Sequence, residues 1–221
     1  MKFSTSIVGM FCTVAVLSKA RHSMAGEAEN MVAPYGETFR GEGTYYGDIP
    51  VGAGNCAMRG DLSAYNGMVP MAINGPQYAN SAMCGACIKG NGSGHGAGHD
   101  PIKGEFYGFV MDQCPECSRG DLDFAKSGDG RWDIEWEFIP CPGSGEPKFT
   151  FEGSNPWYWK IQASSTISPA VECTVNGERR GVKTNDNFFI VEPSGGNPFY
   201  GEQRVEITTL LGGHYDKEVS L

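Results

Sequence analysis

Three acidic side chains lie close together in the stretch at 109–124, which reads FVMDQCPECSRGDLDF. Asp112 ends an apolar run, Glu116 lies in a turn bounded by two cysteines, and Asp123 follows a glycine in the sequence Asp-Leu-Asp-Phe. A strand end followed by a constrained loop is a place where a fold can bring polar groups together in a groove. Carboxylates placed in this way can act as general acid and base, or accept hydrogen bonds from a ligand. The alternative is a solvated acidic loop, and the stretch alone does not separate the two.

The composition of the 221-residue chain favours an all-β fold in two small domains. There are 32 glycines and 13 prolines, and no stretch shows sustained helical spacing of apolar residues. The Pro- and Gly-rich run at 140–147 is the predicted domain boundary, and the glycine-rich run at 91–99 is predicted to be a surface loop. An Asn-Gly hairpin turn is predicted at 176–177, and strands at 105–111, 133–139, 148–152, 157–162, 170–175, 188–191 and 204–210.

The N-terminus has the pattern of a secretory signal peptide at 1–25. Lys2 supplies the basic start, the apolar core runs over 7–17, and small residues allow cleavage after Ala25 or, alternatively, after Ala20. The apolar run is too short to span a bilayer. The sequence therefore predicts a secreted, extracellular protein.

The chain has a formal net charge of -9, and cleavage after Ala25 leaves 14 basic and 26 acidic side chains. This acidic excess argues against nucleic acid, anionic membrane surfaces and strongly anionic polymers as partners. A neutral polysaccharide remains open as a partner.

Four motifs resemble those of the expansins. The stretch at 109–124 resembles the central motif of that family, and Gly-Thr-Tyr-Tyr-Gly at 43–47 its N-terminal Thr-x-Tyr element. Cys-Gly-Ala-Cys at 84–87 is similar to the family's Cys-Gly-x-Cys, and Trp-Tyr-Trp-Lys-Ile-Gln at 157–162 resembles the aromatic platform strand of its second domain. The matches run from about residue 41 to the C-terminus.

This resemblance implies a fold. A six-stranded double-psi β-barrel is expected at 26–141, a linker at 142–147, and an immunoglobulin-like β-sandwich that binds cellulose at 148–221. The residues alone indicate only an all-β, two-domain, secreted protein.

Seven of the eight cysteines remain once Cys12 leaves with the signal peptide. The two Cys-x-x-Cys pairs are also the pattern of a four-thiolate zinc site, but the 26 residues between them are more than is usual, and a secreted chain meets an oxidising compartment. Resemblance to the plant expansins implies the pairs Cys56–Cys84 and Cys87–Cys141. Cys114 and Cys117 then remain for each other across a Pro-Glu turn, and Cys173 is left over as a buried free thiol.

The resemblance also assigns roles in the barrel groove to Thr44, Asp112, Glu116 and Asp123, with Asp112 expected to hydrogen-bond Thr44. Cys114 stands where bacterial members carry a tyrosine, and Tyr46 is the candidate to replace that aromatic contact.

The double-psi barrel is shared with inverting endoglucanases, which need an acid and a base roughly 6.5–9.5 Å apart. Asp123 aligns with the acid. Most expansins lack a carboxylate at the position of the base, but this chain has Asp48 four residues after Thr44. Hydrolysis therefore stays open as an alternative.

In the second domain, Trp157 and Tyr158 match the two adjacent aromatics of the platform, on which the apolar faces of sugars stack. A third ring is expected from Phe188 or Phe189, of which one must point inward because strand side chains alternate. At least one ring among residues 157–159 is expected to lie in the core.

The sequence and the resemblance together predict a monomeric, expansin-like protein. It is expected to bind cellulose and associated wall glucans and to loosen cell walls without hydrolysis. It needs no cofactor and no metal. The alternatives are an inverting endoglucanase that uses Asp123 and Asp48, and a non-catalytic polysaccharide-binding or structural wall protein.

Overall fold

The computed structural model describes residues 34–50 and 52–221. The predicted signal peptide at 1–25 and the first residues assigned to the barrel domain lie outside the described residues. Among the helices of the described part, none is long and apolar enough to cross a membrane.

The first half of the described chain is a closed six-stranded barrel, as the expected double-psi fold requires. Neighbouring strands follow the order β1-β5-β2-β4-β3-β6, in which β1 pairs with β5 and β2 pairs with β4 in parallel. A short helix, α1 (Gly75–Tyr78), follows the second strand, and Asn74 caps it by accepting a hydrogen bond from the backbone of Gln77. The barrel strands are β1 (Thr38–Tyr45), β2 (Val69–Asn74), β3 (Cys87–Ala97), β4 (Lys103–Cys114), β5 (Leu122–Phe124) and β6 (Arg131–Ile139).

Strand β6 shows how the sequence pattern produces this barrel. Its apolar residues alternate with acidic ones, and the predicted core residues Ile134, Trp136 and Phe138 are all buried. Trp136 packs on Phe39 of β1 with ring centroids 4.6 Å apart, and its indole nitrogen donates to the Gly120 carbonyl. This aromatic cluster joins β1 and β6 to the loop that carries the acidic motif.

The glycine-rich segment predicted as a loop at 91–99 is instead largely strand, because β3 continues to Ala97 and pairs with both β4 and β6. Its glycines make room for neighbours: a Cβ at Gly90 would lie 2.3 Å from Phe106, and one at Gly92 would lie 2.3 Å from the Ile102 carbonyl oxygen. Here the glycines allow close packing of strands, which composition alone does not distinguish from a flexible loop.

The second half is a β-sandwich of two four-stranded sheets, with orders β10-β9-β13-β14 and β11-β12-β8-β7. The predicted turn at Asn176 and Gly177 joins β9 to β10, and both residues have positive φ, 56° and 68°. Sequence reasoning missed β10, β11 and β14. The strands are β7 (Lys148–Phe151), β8 (Trp159–Ser164), β9 (Ala170–Val175), β10 (Arg179–Arg180), β11 (Val182–Lys183), β12 (Phe189–Val191), β13 (Gln203–Thr209) and β14 (His214–Val219).

Gln162 of β8 joins the sandwich to the barrel. Its side chain is 1% exposed, and its amide oxygen accepts from the Arg59 backbone nitrogen at 3.1 Å. Its amide nitrogen donates to the carbonyls of Cys56 and Ala57 at 3.0 and 3.3 Å. One buried amide therefore satisfies three backbone groups of the other domain.

Candidate functional site

The acidic motif lines an open groove of about 230 Å³ on the barrel. Strands β1, β4, β5 and β6 and the loop between β4 and β5 contribute its lining. The lining residues are Thr44, Tyr45, Cys114, Glu116, Cys117, Asp121, Asp123 and Arg131. Of the four residues assigned to the groove from the sequence, Thr44, Glu116 and Asp123 thus lie together, whereas Asp112 does not line it.

Thr44 and Asp123 form the centre of the groove. They are direct partners in the parallel β1–β5 register, and the Thr44 hydroxyl donates to Asp123 Oδ1 at 2.7 Å. The expected bond between Asp112 and Thr44 is therefore wrong, because barrel closure places Thr44 opposite the carboxylate of β5 rather than that of β4. Asp123 Oδ2 makes no hydrogen bond to the described residues, so it is open to a ligand.

The Asp123 carboxyl is half-buried, and this burial raises its pKa above the usual range. The negative charges of Glu116 and Asp112 raise the pKa further, while the Thr44 hydrogen bond and the positive charge of Arg131 lower it. Leu122 and Phe124, the apolar neighbours noted in the sequence, are both buried. Because successive side chains of a strand alternate, they pack on the face of β5 opposite to the Asp123 carboxyl. A carboxyl of this kind is suited to exchanging a proton or accepting a strong hydrogen bond.

Asp112 supports a loop beside the groove. Its Oδ1 accepts from the backbone nitrogens of Asn55 and Gln113, at 2.7 and 2.8 Å. A Cβ on Gly54, whose φ is +77°, would lie 2.7 Å from the Met111 carbonyl oxygen and about 3 Å from the Asp112 side chain. Asp112 therefore holds the loop around Asn55 against the end of β4.

All three predicted disulfides are present, namely Cys56–Cys84, Cys87–Cys141 and Cys114–Cys117, and Cys173 is free and buried. A four-thiolate zinc site is excluded because those four sulfurs are paired. The Cys114 and Cys117 sulfurs and an Asp123 oxygen lie within 4.8 Å of one another. Metals bind thiolates rather than disulfide sulfurs, so this group does not fit a metal in the oxidised chain.

Tyr46 follows β1, and its hydroxyl is buried without a hydrogen-bond partner among the described residues. Burial raises the pKa of this hydroxyl above its ordinary value of 10, and the charges of Asp112 and Asp123 raise it further. The phenol therefore stays protonated and is a donor within electrostatic reach of both carboxylates.

Two further groove residues were not identified from the sequence. Arg131 opens β6, pairs with Glu42 at 2.6 Å and acts electrostatically on Asp123. Asp121 accepts from the backbone nitrogens of Glu42 and Ser118, both at 2.9 Å, and so fixes the loop before β5. No local sequence pattern marked either residue, because the role of each depends on contacts with a strand that is distant in the sequence.

Asp48, the candidate base, lies outside the groove lining. It is exposed, and its Oδ2 accepts from the Ser127 hydroxyl at 2.8 Å. Two other described carboxylates line the groove with Asp123. The Asp121 carboxylate already accepts hydrogen bonds from two backbone N–H groups. Glu116 is exposed and makes no hydrogen bond within the described chain.

On the sandwich, the predicted platform is only partly formed as expected. Trp157 is 54% exposed, Tyr158 is partly buried, and Trp159 lies in the core at 1%. Phe189 is also in the core, and Phe188 is fully buried, with the Lys160 amine 4.4 Å from its ring centroid. The assignment of Phe188 to the platform is therefore corrected, because no face of its ring is open.

Tyr200 is an exposed aromatic that the sequence analysis missed. It is 70% exposed, and the preceding Phe199 donates its backbone N–H to the Pro156 carbonyl at 2.8 Å, which brings this segment beside Trp157. No strand pattern marks Tyr200, since it lies in a loop before β13.

No family model and no curated protein matches the sequence. Solved structures of an expansin from Clavibacter michiganensis do match its fold. A point mutant of that protein in complex with cellohexaose is 21% identical, with a TM-score of 0.66, over 82% of this chain and 90% of the other. The apo form is 20% identical, with a TM-score of 0.64 over the same shares. The likeness shows that this chain has the two-domain expansin fold.

Proposed function

We propose that this is a secreted, expansin-like protein that binds cellulose and loosens cellulose-containing walls without cutting glycosidic bonds. The observation that carries the proposal is the half-buried Asp123, which is hydrogen-bonded by Thr44 in an open groove of an expansin-fold barrel. The similar Clavibacter expansin was crystallised with cellohexaose, which supports a neutral glucan as the ligand. Three disulfides and the N-terminal signal pattern support secretion.

In the groove, Asp123 accepts hydrogen bonds from glucan hydroxyls through its open oxygen, while Thr44 fixes the orientation of the carboxyl. Charge-assisted hydrogen bonds are roughly twice as strong as neutral ones, so this carboxylate can compete with the bonds between glucan chains. The Tyr46 hydroxyl is buried and does not line the groove, so Tyr46 acts on this site only through its closeness to the two carboxylates. No step in this account breaks a covalent bond.

Hydrolysis by inversion needs a base as well as an acid. Asp48, outside the groove lining and bonded to Ser127, has poor support as that base. Glu116 is the remaining free carboxylate beside Asp123 among the groove-lining residues described, so it is the candidate base within the groove itself. Non-hydrolytic binding is therefore the better supported role.

The sandwich supplies the second part of the function. Trp157 and Tyr158 form an aromatic surface at the start of β8, and stacking on the apolar face of a sugar holds the protein on cellulose. The carboxylates of the groove then act on chains that are already close by.

The proposal is tested with the full mature chain on filter-paper strips, by measuring breaking force after incubation and bound protein by pull-down. Asp123→Asn keeps the shape and the Thr44 bond, and it is expected to lose about 90% of the weakening while binding cellulose within about twofold of wild type. Asp133→Asn removes an exposed carboxylate elsewhere on the barrel and is expected to behave as wild type.

Trp157→Ala is expected to weaken cellulose pull-down by about two- to tenfold, in keeping with the roughly 0.5–1.5 kcal/mol that an aromatic contact contributes. Val182→Ala, at another exposed apolar position of the sandwich, is the control and should have no effect. The proposal is contradicted if the Asp123→Asn variant weakens paper as much as wild type does, or if the Trp157→Ala variant binds cellulose as tightly as wild type does.

A further inference from the structure

A second cleft, of about 380 Å³, lies at the junction of the barrel and the sandwich. It shares no lining residue with the Asp123 groove. Its polar lining comes from four segments that are distant in the sequence: Asn55, Tyr78, Asn80, Gln113, Asn185 and Asp186.

The cleft is lined mainly by side-chain amides. The side chains of Asn80 and Asn185 are on exposed residues and make no hydrogen bond to other described residues. Asn55 donates its amide only weakly, to Gln113 Oε1 at 3.4 Å. Each amide offers two donors and a carbonyl acceptor, which is the combination that pairs with the hydroxyl groups of a sugar.

The cleft also carries little net charge. Its one acidic residue, Asp186, is paired with the Lys160 amine at 2.7 Å. An uncharged, hydroxyl-rich ligand fits this lining better than an anionic or cationic one, because a charged ligand would lose hydration without finding a counter-charge.

The loop that presents Asn80 has an unusual backbone. Ala79, Asn80 and Ser81 are consecutive residues with φ of 50°, 52° and 71°. Left-handed residues other than glycine cost roughly 1–2 kcal/mol each, and such conformations persist where the surrounding structure enforces them. Strain of this kind concentrates at ligand sites, where it fixes the position of a functional side chain.

Both domains hold this strained loop in place. The buried Ser81 hydroxyl donates to the Thr184 carbonyl of the sandwich at 2.7 Å, and the Tyr78 hydroxyl donates to the Asn185 carbonyl at 3.3 Å. On the barrel side, the Cys56–Cys84 disulfide ties the loop to the segment that carries Asn55. The amides are therefore positioned before a ligand arrives.

The cleft is also connected to both parts of the proposed glucan site. Gln113 lies in β4 next to Cys114, which lines the groove, and Asp112 fixes the backbone of Asn55. On the other side, Asp186 pairs with Lys160 of β8, which lies two residues after Tyr158 and interacts with it electrostatically. The cleft therefore adjoins residues of both parts of the proposed glucan site.

We propose that the amide cleft binds the hydroxyl groups of an uncharged glucan chain that extends from the barrel groove to the aromatic surface of the sandwich. This inference rests on the proposed function and adds a third contact region to it. It assigns binding roles to Asn55, Asn80 and Asn185, and it gives Asp112 a positioning role through Asn55.

The test is calorimetric titration of the full mature chain with cellohexaose and with the shorter cellotriose. Asn80→Gly removes the amide and keeps the positive φ without strain, and Asn185→Ala removes the other unpartnered amide. Each is expected to weaken cellohexaose binding about fivefold, as the loss of one neutral hydrogen bond predicts, and the double variant about 25-fold. Cellotriose bound on the aromatic surface is expected to leave the cleft empty, so it should bind each variant as it binds wild type.

Asn66→Ala, at an exposed asparagine outside the cleft, is the matched control and should leave both affinities unchanged. If wild type binds cellohexaose and weakens paper while the Asn80 and Asn185 variants bind cellohexaose as the control does, the cleft inference is wrong and the proposed function stands. Equal affinity for cellohexaose and an acidic hexasaccharide would also overturn it. Absence of any glucan binding by the wild type would overturn both proposals.

Discussion

The barrel and the sandwich are stabilised in different ways. All three disulfides hold the barrel and the segment directly after it, whereas the described sandwich contains one free cysteine, Cys173, in an apolar core with Trp159, Phe189 and Phe199. The barrel has to hold several polar groups together at the ends of its strands, and covalent links stabilise its loops against that cost. The sandwich presents rings on a surface and needs only a packed core beneath them.

The largest expected difference between the two domains is in the free energy of unfolding that is lost when a barrel disulfide is removed. Replacing Cys87 and Cys141 by serine opens a bond that spans 54 residues, and the loop-entropy relation gives a loss of about 4 kcal/mol. The Cys114 and Cys117 double variant spans only three positions and should cost about 2 kcal/mol. Chemical denaturation measures both values.

Hydrogen exchange read by mass spectrometry should assign the loss from the Cys87 and Cys141 variant to β3 and β6, with β9 and β13 little changed. Equal losses from the two double variants, or faster exchange in the sandwich alone, would show that the barrel does not depend on its disulfides in this way.

The next effect concerns a buried amine in the sandwich. Lys183 donates to the Ala170 carbonyl at 2.6 Å and lies 5.4 Å from the Phe189 ring, and burial lowers its pKa from the ordinary 10.5 to about 7. Between about pH 7 and 10.5 the unfolded chain binds a proton that the folded chain does not. Folding is therefore penalised as the pH falls through this window, and the penalty is complete below pH 7.

Lys183→Met is accordingly expected to stabilise the sandwich by on the order of 3 kcal/mol at pH 6, with a gain that shrinks as the pH approaches 10.5. Thermal unfolding across this range measures the gain. Lys103→Met, at an exposed lysine of the barrel, should show no such pH dependence. A constant gain at all pH values would mean that the Lys183 amine is not neutral in the folded protein.

The smallest of these effects lies at the junction. Gln162→Leu leaves the Cys56 carbonyl and the Arg59 N–H without their partner, and a loss of about 2 kcal/mol is expected from buried groups left unpaired. Gln203→Leu, at an amide on the sandwich surface, should cost less than about 0.5 kcal/mol. Equal losses in denaturant would show that Gln162 does not hold the two domains together.

Local sequence patterns predicted the positions of the acidic groove residues better than the positions of the aromatic residues on the sandwich. The motif at 109–124 carries Glu116 and Asp123 within one loop and one strand, so local pattern and family resemblance identified them together. The hydrogen bond between Thr44 and Asp123 depends on the β1–β5 register, which no local sequence pattern contains. The sequence therefore predicted wrongly that Thr44 would bond to Asp112, which instead accepts from the Asn55 backbone.

The remaining wrong predictions from the sequence have their cause in tertiary packing. Phe188 matched the platform by position, but the Lys160 amine and the turn before β12 bury its ring. The glycines of β3 were read as a loop, although they accommodate Phe106 and Ile102. The amide cleft could not be predicted, because Asn55, Asn80 and Asn185 come from separate loops and none belongs to a motif.

The central claim, that Asp123 serves wall loosening without cleavage, is tested most directly by measuring breaking force and reducing ends on the same paper strips. Wild type should weaken the paper with no new reducing ends in solution or on the fibres. Asp48→Ala should weaken it as well as wild type, and Asp123→Asn should not. New reducing ends that rise with weakening, and that disappear in Asp123→Asn together with Asp48→Ala or Glu116→Gln, would contradict the account and identify an inverting endoglucanase.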